Sequence, residues 1–203
     1  MPERFHMPSE LTRFYYPPPP WLLRGSALMA SFRVAAGAVH ELIPSPLTLV
    51  VMPGDRAMAY LGVLRYGAGS TLEYSELIAG VVVRYGLRFH PFVTHIGVDS
   101  EASQRAGREL WYLPKQRWSF EWKFGELETG VRVWDGALLI CDISGAPINT
   151  RLFPLSTNTT FFNLRGTEVA TITANLDVRM SPVGWRLQVG PDGPLAPLTP
   201  TGR

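Results

Sequence analysis

Lysine is the scarce cation in this chain. Of nineteen Lys and Arg residues only two are lysine, Lys115 in GRELWYLPKQRW and Lys123 in WSFEWKF, and the other seventeen are arginine. The two types differ in what they can do. An amine can lose its proton and attack a carbonyl, whereas a guanidinium stays charged, so imine chemistry is open only to the lysines. An ordinary lysine titrates near ~10.4, which leaves about one amine in a few thousand neutral at pH 7; bringing that value to about 7 requires a differential of about 4 kcal/mol. Burial in an apolar wall or a neighbouring cation supplies it. Lys115 follows Trp111, Tyr112, Leu113 and Pro114 and precedes Trp118, an apolar and aromatic setting that Lys123 lacks. The same setting also suits a lysine that lays its stem over the rings and keeps its head in water. Local sequence leaves both readings open.

Other chemistries recede. The four histidines, His6, His40, His90 and His95, are scattered, and neither HExxH nor CxxC occurs, so no metal site and no cofactor is expected. There is no GxSxG elbow, no phosphate-binding glycine loop and no dinucleotide fingerprint. Cys141 is the single cysteine and lies in the apolar run ALLICDI, which predicts a buried thiol and no internal disulfide. A formal charge of +2, with the arginines dispersed among acidic and apolar residues, disfavours nucleic-acid binding.

The elements that must position these residues are mostly strands. At 203 residues, 46% hydrophobic and 18% charged, the chain suits one globular domain, and it has no apolar run long enough for a membrane span. The N-terminus is polar and proline-rich, without the apolar core of a secretory signal, so a cytoplasmic location is expected. Residues 1–20, ending in PPPP, are expected to be a flexible tail, with a single domain over 21–203. Branched and aromatic runs punctuated by Gly, Pro and Asn predict strands at Arg56 to Tyr66, Gly80 to Arg88, Thr94 to Val98, Gly130 to Ile143 with a break at Asp135-Gly136, and Glu168 to Met180. In WSFEWKF the alternation turns Lys123 outward. Two short helices are predicted. One lies in DSEASQRAGRELW, with Asp99 or Ser100 as N-cap and Gly107 as a stop; the other is AAGAVHELIP, ended by its prolines. The C-terminal GPDGPLAPLTPTGR is expected to be irregular.

GREL, two residues and then LPK resembles the GRE-x-x-x-x-PKK signature of the acetoacetate decarboxylases and their relatives. The similarity continues upstream in EYSE, which matches the family's Tyr-x-Glu segment, and in WLLRG with SALMASFRV, which resembles its first strand and active-site arginine. VHELIPSPL resembles the family's helix and following turn; ATITANLDV, GW and PLAPL resemble its closing strands, so the resemblance covers roughly Pro20 to Pro200. It implies an α+β, mainly antiparallel β fold, a cone-shaped β-barrel with few short helices, assembled as a homodimer or larger homo-oligomer. It implies that Lys115 forms a Schiff base with a small keto acid, that Glu76 moves protons, and that Arg24 and Tyr74 bind substrate.

The chain departs from the family at two positions. Gln116 stands where the decarboxylases carry a second lysine, and Leu61 stands where they carry a glutamate fifteen residues before Glu76. Both are assigned to the substrate site, and both weigh against acetoacetate decarboxylation itself. The readings are therefore a decarboxylase-like lyase, an aldolase or dehydratase using the same lysine, and a non-catalytic barrel that binds a small carboxylated or apolar metabolite.

Overall fold

The β-branched and aromatic runs form two sheets joined by one apolar core. The structure, a computed structural model, describes residues 16–126, 128–148 and 151–201. The first half contains β1 (Gly25–Ala35), the single-turn α1 (Ala36–Val39), the short β2 (Thr48–Leu49) and β3 (Val51–Met52), β4 (Arg56–Tyr66), β5 (Tyr74–Tyr85) and β6 (Arg88–Val98). Then follow α2 (Glu101–Leu110), β7 (Lys115–Arg117), β8 (Ser119–Phe124), β9 (Thr129–Asp135), β10 (Leu138–Pro147), β11 (Phe153–Arg165), β12 (Glu168–Met180) and β13 (Val183–Val189).

The larger sheet runs β1-β4-β5-β6-β11-β12, with β2, β3 and β7 pairing β5, β4 and β6; the smaller runs β13-β10-β9-β8. Nearly all pairs are antiparallel, and the helices are few and short, as expected for the α+β class. The two sheets pack against one another across one shared core, in the mainly antiparallel architecture that the family resemblance implies.

Register decides which side chains share a face. In β1, Leu28, Ala30, Phe32 and Val34 are buried; in β4, Ala57, Ala59, Leu61 and Val63; in β5, Leu77, Ala79, Val81 and Val83. These sets are cross-strand neighbours and pack against Val131, Val133, Ile140, Cys141 and Ile143 of the smaller sheet. That is the core. Cys141 is buried there as expected, and burial pushes its thiol up to about 12. The opposite face of the larger sheet carries the alternate set, among them Tyr60, Gly62, Leu64 and Tyr66 of β4 and Tyr74, Glu76 and Ile78 of β5.

Several expected boundaries move for identifiable reasons. The strand at Arg56 to Tyr66 and the one at Glu168 to Met180 stand as read. The one read at Gly80 to Arg88 runs instead from Tyr74 to Tyr85, because Gly86, at φ 59°, turns the chain directly into β6. The break at Asp135-Gly136 is a hairpin turn with Gly136 at φ 58°. AAGAVHELIP forms α1 and one further 3-10 turn at His40–Leu42. The C-terminal segment is mostly turns, yet its Leu195 and Leu198 are fully buried in the core.

The tail expected over residues 1–20 falls largely outside the described residues. From residue 16 onward it is anchored: the Tyr16 hydroxyl donates to Glu109 of α2, and Trp21 packs edge-on against Trp111 at 4.8 Å. The carboxylate beside it and desolvation push the Tyr16 phenol up to about 12.

Candidate active site

Lys115 reaches its place because β7 runs parallel to β6, a pairing that needs a crossover, and α2 is that crossover. The helix starts at Ser100, whose hydroxyl accepts from the Ser103 amide at 3.2 Å, and Glu101 pairs with Arg105 one turn on at 3.1 Å. Its inward face is made of small residues, Ser103, Ala106 and Gly107, so it lies close to the sheet. Gly107 is therefore not a stop, as expected from sequence, but an interior residue. A methyl group there would stand 2.4 Å from Lys115 Cδ and 2.8 Å from Cε, so the glycine is the groove in which the lysine stem lies.

The rest of the GREL motif holds the same residue. Arg108 Nε donates to the Lys115 carbonyl at 2.7 Å, and Gln104 Nε2 does so at 3.3 Å. Glu109 takes the Tyr16 hydroxyl. After the helix, the amides of Trp111 and Leu113 both donate to the Gly107 carbonyl, and Tyr112 adopts φ 55°, a left-handed conformation uncommon for a bulky residue. The Arg165 guanidinium lies 5.2 Å above the Tyr112 ring, and Asn163 Nδ2 donates to the Trp111 carbonyl, fixing the turn that aims Lys115.

The lysine side chain ends on the face opposite the core. Its Nζ donates to Glu76 Oε2 at 2.6 Å and to Ser103 Oγ at 3.0 Å, and sits 5.3 Å from the Tyr74 ring centroid. Lys115 is only 3% exposed and Glu76 7%. Tyr74 donates to Glu76 Oε2 at 3.3 Å, and its ring packs 4.9 Å from that of Tyr66. Burial first, then the Glu76 charge, push both phenols well above their ordinary value, so each stays a protonated donor toward the carboxylate. Beneath Glu76, Ser75 is fixed from both sides: its amide donates to Asp99 at 2.7 Å, and its hydroxyl accepts from Trp122 at 3.1 Å.

Of the residues read from sequence, the structure brings Lys115, Glu76 and Tyr74 together. It separates the other three. Gln116 is exposed, one residue along β7 and so on its other face. Leu61 is 0% exposed and lies across from Ala79, on the core face of the sheet, while Glu76 lies across from Leu64 on the other face. Arg24 sits just before β1, whose first residue pairs with Tyr66. The Arg24 amide and carbonyl are bound to Ser70, and its exposed side chain lies over Gly69. Sequence reading missed Ser103 and Tyr66. The alternation of small residues in the helix and the facing of two tyrosines across a strand pair are signals that become visible only once register is known.

A family model described as acetoacetate decarboxylase matches residues 4–146. With this fold and the Lys115 arrangement, the chain belongs to the acetoacetate decarboxylase family. No curated protein sequence matches it. Among solved structures it is similar to an acetoacetate decarboxylase from Legionella pneumophila, at 16% identity and TM-score 0.65, covering 100% of this chain and 90% of that one. It is also similar to the enduracididine biosynthesis enzyme MppR complexed with pyruvate, at 14% identity and TM-score 0.63, covering 98% and 90%. An acetoacetate decarboxylase-like enzyme from Sphingomonas wittichii shares the fold at 15% identity and TM-score 0.53, covering 86% and 81%. Among the described residues, no helix is long and apolar enough to cross a membrane, and no cluster of metal-binding type occurs.

Proposed function

We propose that this protein is a Schiff-base-forming lyase that acts on a keto acid through Lys115. The observation that carries the proposal is the burial of the Lys115 amine 2.6 Å from the Glu76 carboxylate. An amine so placed has a proton acceptor in direct contact, and the surroundings exclude the water that would otherwise solvate its charge.

Glu76 takes a proton from the ammonium, and the neutral amine attacks the substrate ketone. The carbinolamine accepts the proton back at its hydroxyl and loses water, leaving a protonated imine. In a β-keto acid the bond to the carboxylate then breaks, carbon dioxide leaves, and the electron pair moves onto the imine nitrogen as an enamine. Protonation at carbon and hydrolysis of the resulting iminium release the ketone and restore Lys115. Tyr66 and Tyr74 hold the Glu76 carboxylate in place, and Ser103 orients the amine. Arg24, exposed at the end of the sheet that bears Tyr66 and Tyr74, is assigned to the substrate carboxylate, which requires its side chain to swing away from Gly69. With pyruvate, loss of a methyl proton from the protonated imine to Glu76 gives an enamine that can attack an aldehyde, and the resemblance to an enzyme bound to pyruvate favours keeping aldol condensation and dehydration as the second reading.

The test is mass spectrometry after incubation with acetoacetate, pyruvate or larger keto acids and borohydride. A reduced adduct mapped to Lys115, absent from folded Lys115→Arg, is the expected result, and product analysis separates decarboxylation from condensation. Absence of an adduct with every acid would overturn the lyase in favour of a binding barrel.

A further inference from the structure

The face that carries Glu76 continues along β4 and β5, away from Arg24, toward a second polar group that the chemistry above does not use. Glu76 is level with Leu64, Ile78 with Gly62, and Tyr60 with Gly80. These residues line one continuous strip. Ile78 and Leu64 are half-buried, and Met29, whose sulfur fills the space above Gly62, is 52% exposed. At the far end the Tyr60 ring lies 6.4 Å from that of Phe161.

The Tyr60 hydroxyl is buried and has no hydrogen-bond partner among the described residues. A group of this kind is an exception that calls for a reason, because a phenylalanine would fill the same volume without leaving a donor unsatisfied. The backbone around it is adapted. A methyl group on Gly80 would stand 2.0 Å from the Phe92 carbonyl oxygen of the next strand and 2.6 Å from the hydroxyl, and the β5-β6 register shifts at Ala79/Gly80, an irregularity of the type that re-aims side chains beside functional sites. Burial holds the phenol in its protonated form, as a donor.

We propose that Tyr60 is a specificity residue that donates a hydrogen bond to a polar atom in the distal tail of an elongated keto acid. The reading rests on the Schiff-base site, and names the kind of substrate it takes. Glu76 and Gly80 are four residues apart on β5, which sets a separation of roughly 13 Å at about 3.3 Å per residue. Pyruvate and acetoacetate do not span it. The tail crosses the apolar floor of Ile78, Leu64 and Met29, where the flexible methionine adapts to its shape, and ends in a hydrogen-bond acceptor such as a ketone or amide oxygen.

Three α-keto acids serve as probes: pyruvate, an unbranched alkyl acid of about ten carbons, and its isostere with a second ketone roughly 9 Å from the first. Half-saturation of borohydride trapping is measured for the native protein and Tyr60→Phe, and binding by calorimetry for native, Tyr60→Phe and Lys115→Arg proteins. The native protein is expected to favour the ketone-tailed probe over the alkyl one about tenfold, the worth of one good hydrogen bond. Tyr60→Phe is expected to abolish that preference, leave pyruvate trapping unchanged and fold at least as stably. A native protein without the preference, or a preference that survives Tyr60→Phe, would overturn the assignment. Loss of all trapping with the calorimetric preference intact would instead overturn the Schiff base alone.

Discussion

Lys115 and Lys123 stand eight residues apart, each in a strand and each near tryptophans, and they meet opposite fates. Lys123 lies on β8, the edge strand of the smaller sheet, opposite Gly130, and it is exposed, as its alternation predicts. A charged residue there discourages another strand from pairing with the edge. Its neighbours Trp122 and Phe124 stack on one another, and Phe124, 58% exposed, lies under Arg65. Lys115 lies on β7, beside an interior strand of the larger sheet, and α2 crosses over it. The same amine thus becomes a solubilising charge in one place and a buried partner of Glu76 in the other. Chemistry follows from what crosses over the residue, more than from the residue.

The largest test of that contrast is Glu76→Gln. It leaves the Lys115 ammonium buried without a counter-charge, which is expected to lower stability by about 3–5 kcal/mol in denaturant titration. It is also expected to slow trapping by a factor on the order of 10² to 10⁴, through loss of the proton acceptor. A change no larger than that of a surface charge would break the claim that the pair is buried. Next comes Gly107→Ala, which improves helix propensity by about 0.5–1 kcal/mol yet forces the lysine stem sideways. With the methyl 2.4 Å from Cδ, trapping is expected to fall by roughly 10- to 100-fold while far-ultraviolet circular dichroism is unchanged. Native-like trapping in that variant would show that the groove does not position the amine. Smallest is Lys123→Gln, for which stability is expected to stay within about 0.5 kcal/mol and trapping to stay unchanged; measurable loss of either would erase the contrast.

Much of the fold was legible because its signals are local. β4 and β12 are branched and aromatic runs bounded by turn residues, and α2 begins at a serine cap followed by an acidic first turn. β11, with its polar STNTT centre, lacked that signal; pairing with β12 over its whole length makes it a strand. Gly107 lies inside α2 for a related reason. A glycine near the end of a helical pattern ordinarily marks a stop, and nothing in the sequence shows that a lysine stem eight residues later needs the space.

The available chemistry is written in the chain order: two lysines among many arginines, a motif joining GREL to Lys115, and a Tyr-x-Glu segment whose alternation puts Tyr74 and Glu76 on one face of a strand. Which residues meet depends on how the strands pair and what packs over them. Leu61 and Glu76 are on neighbouring strands but opposite faces, a distinction set by register, and register is a property of pairs of strands. Ser103, Tyr66 and Tyr60 come to that face for the same reason, from a helix and a strand whose own patterns say nothing of Lys115.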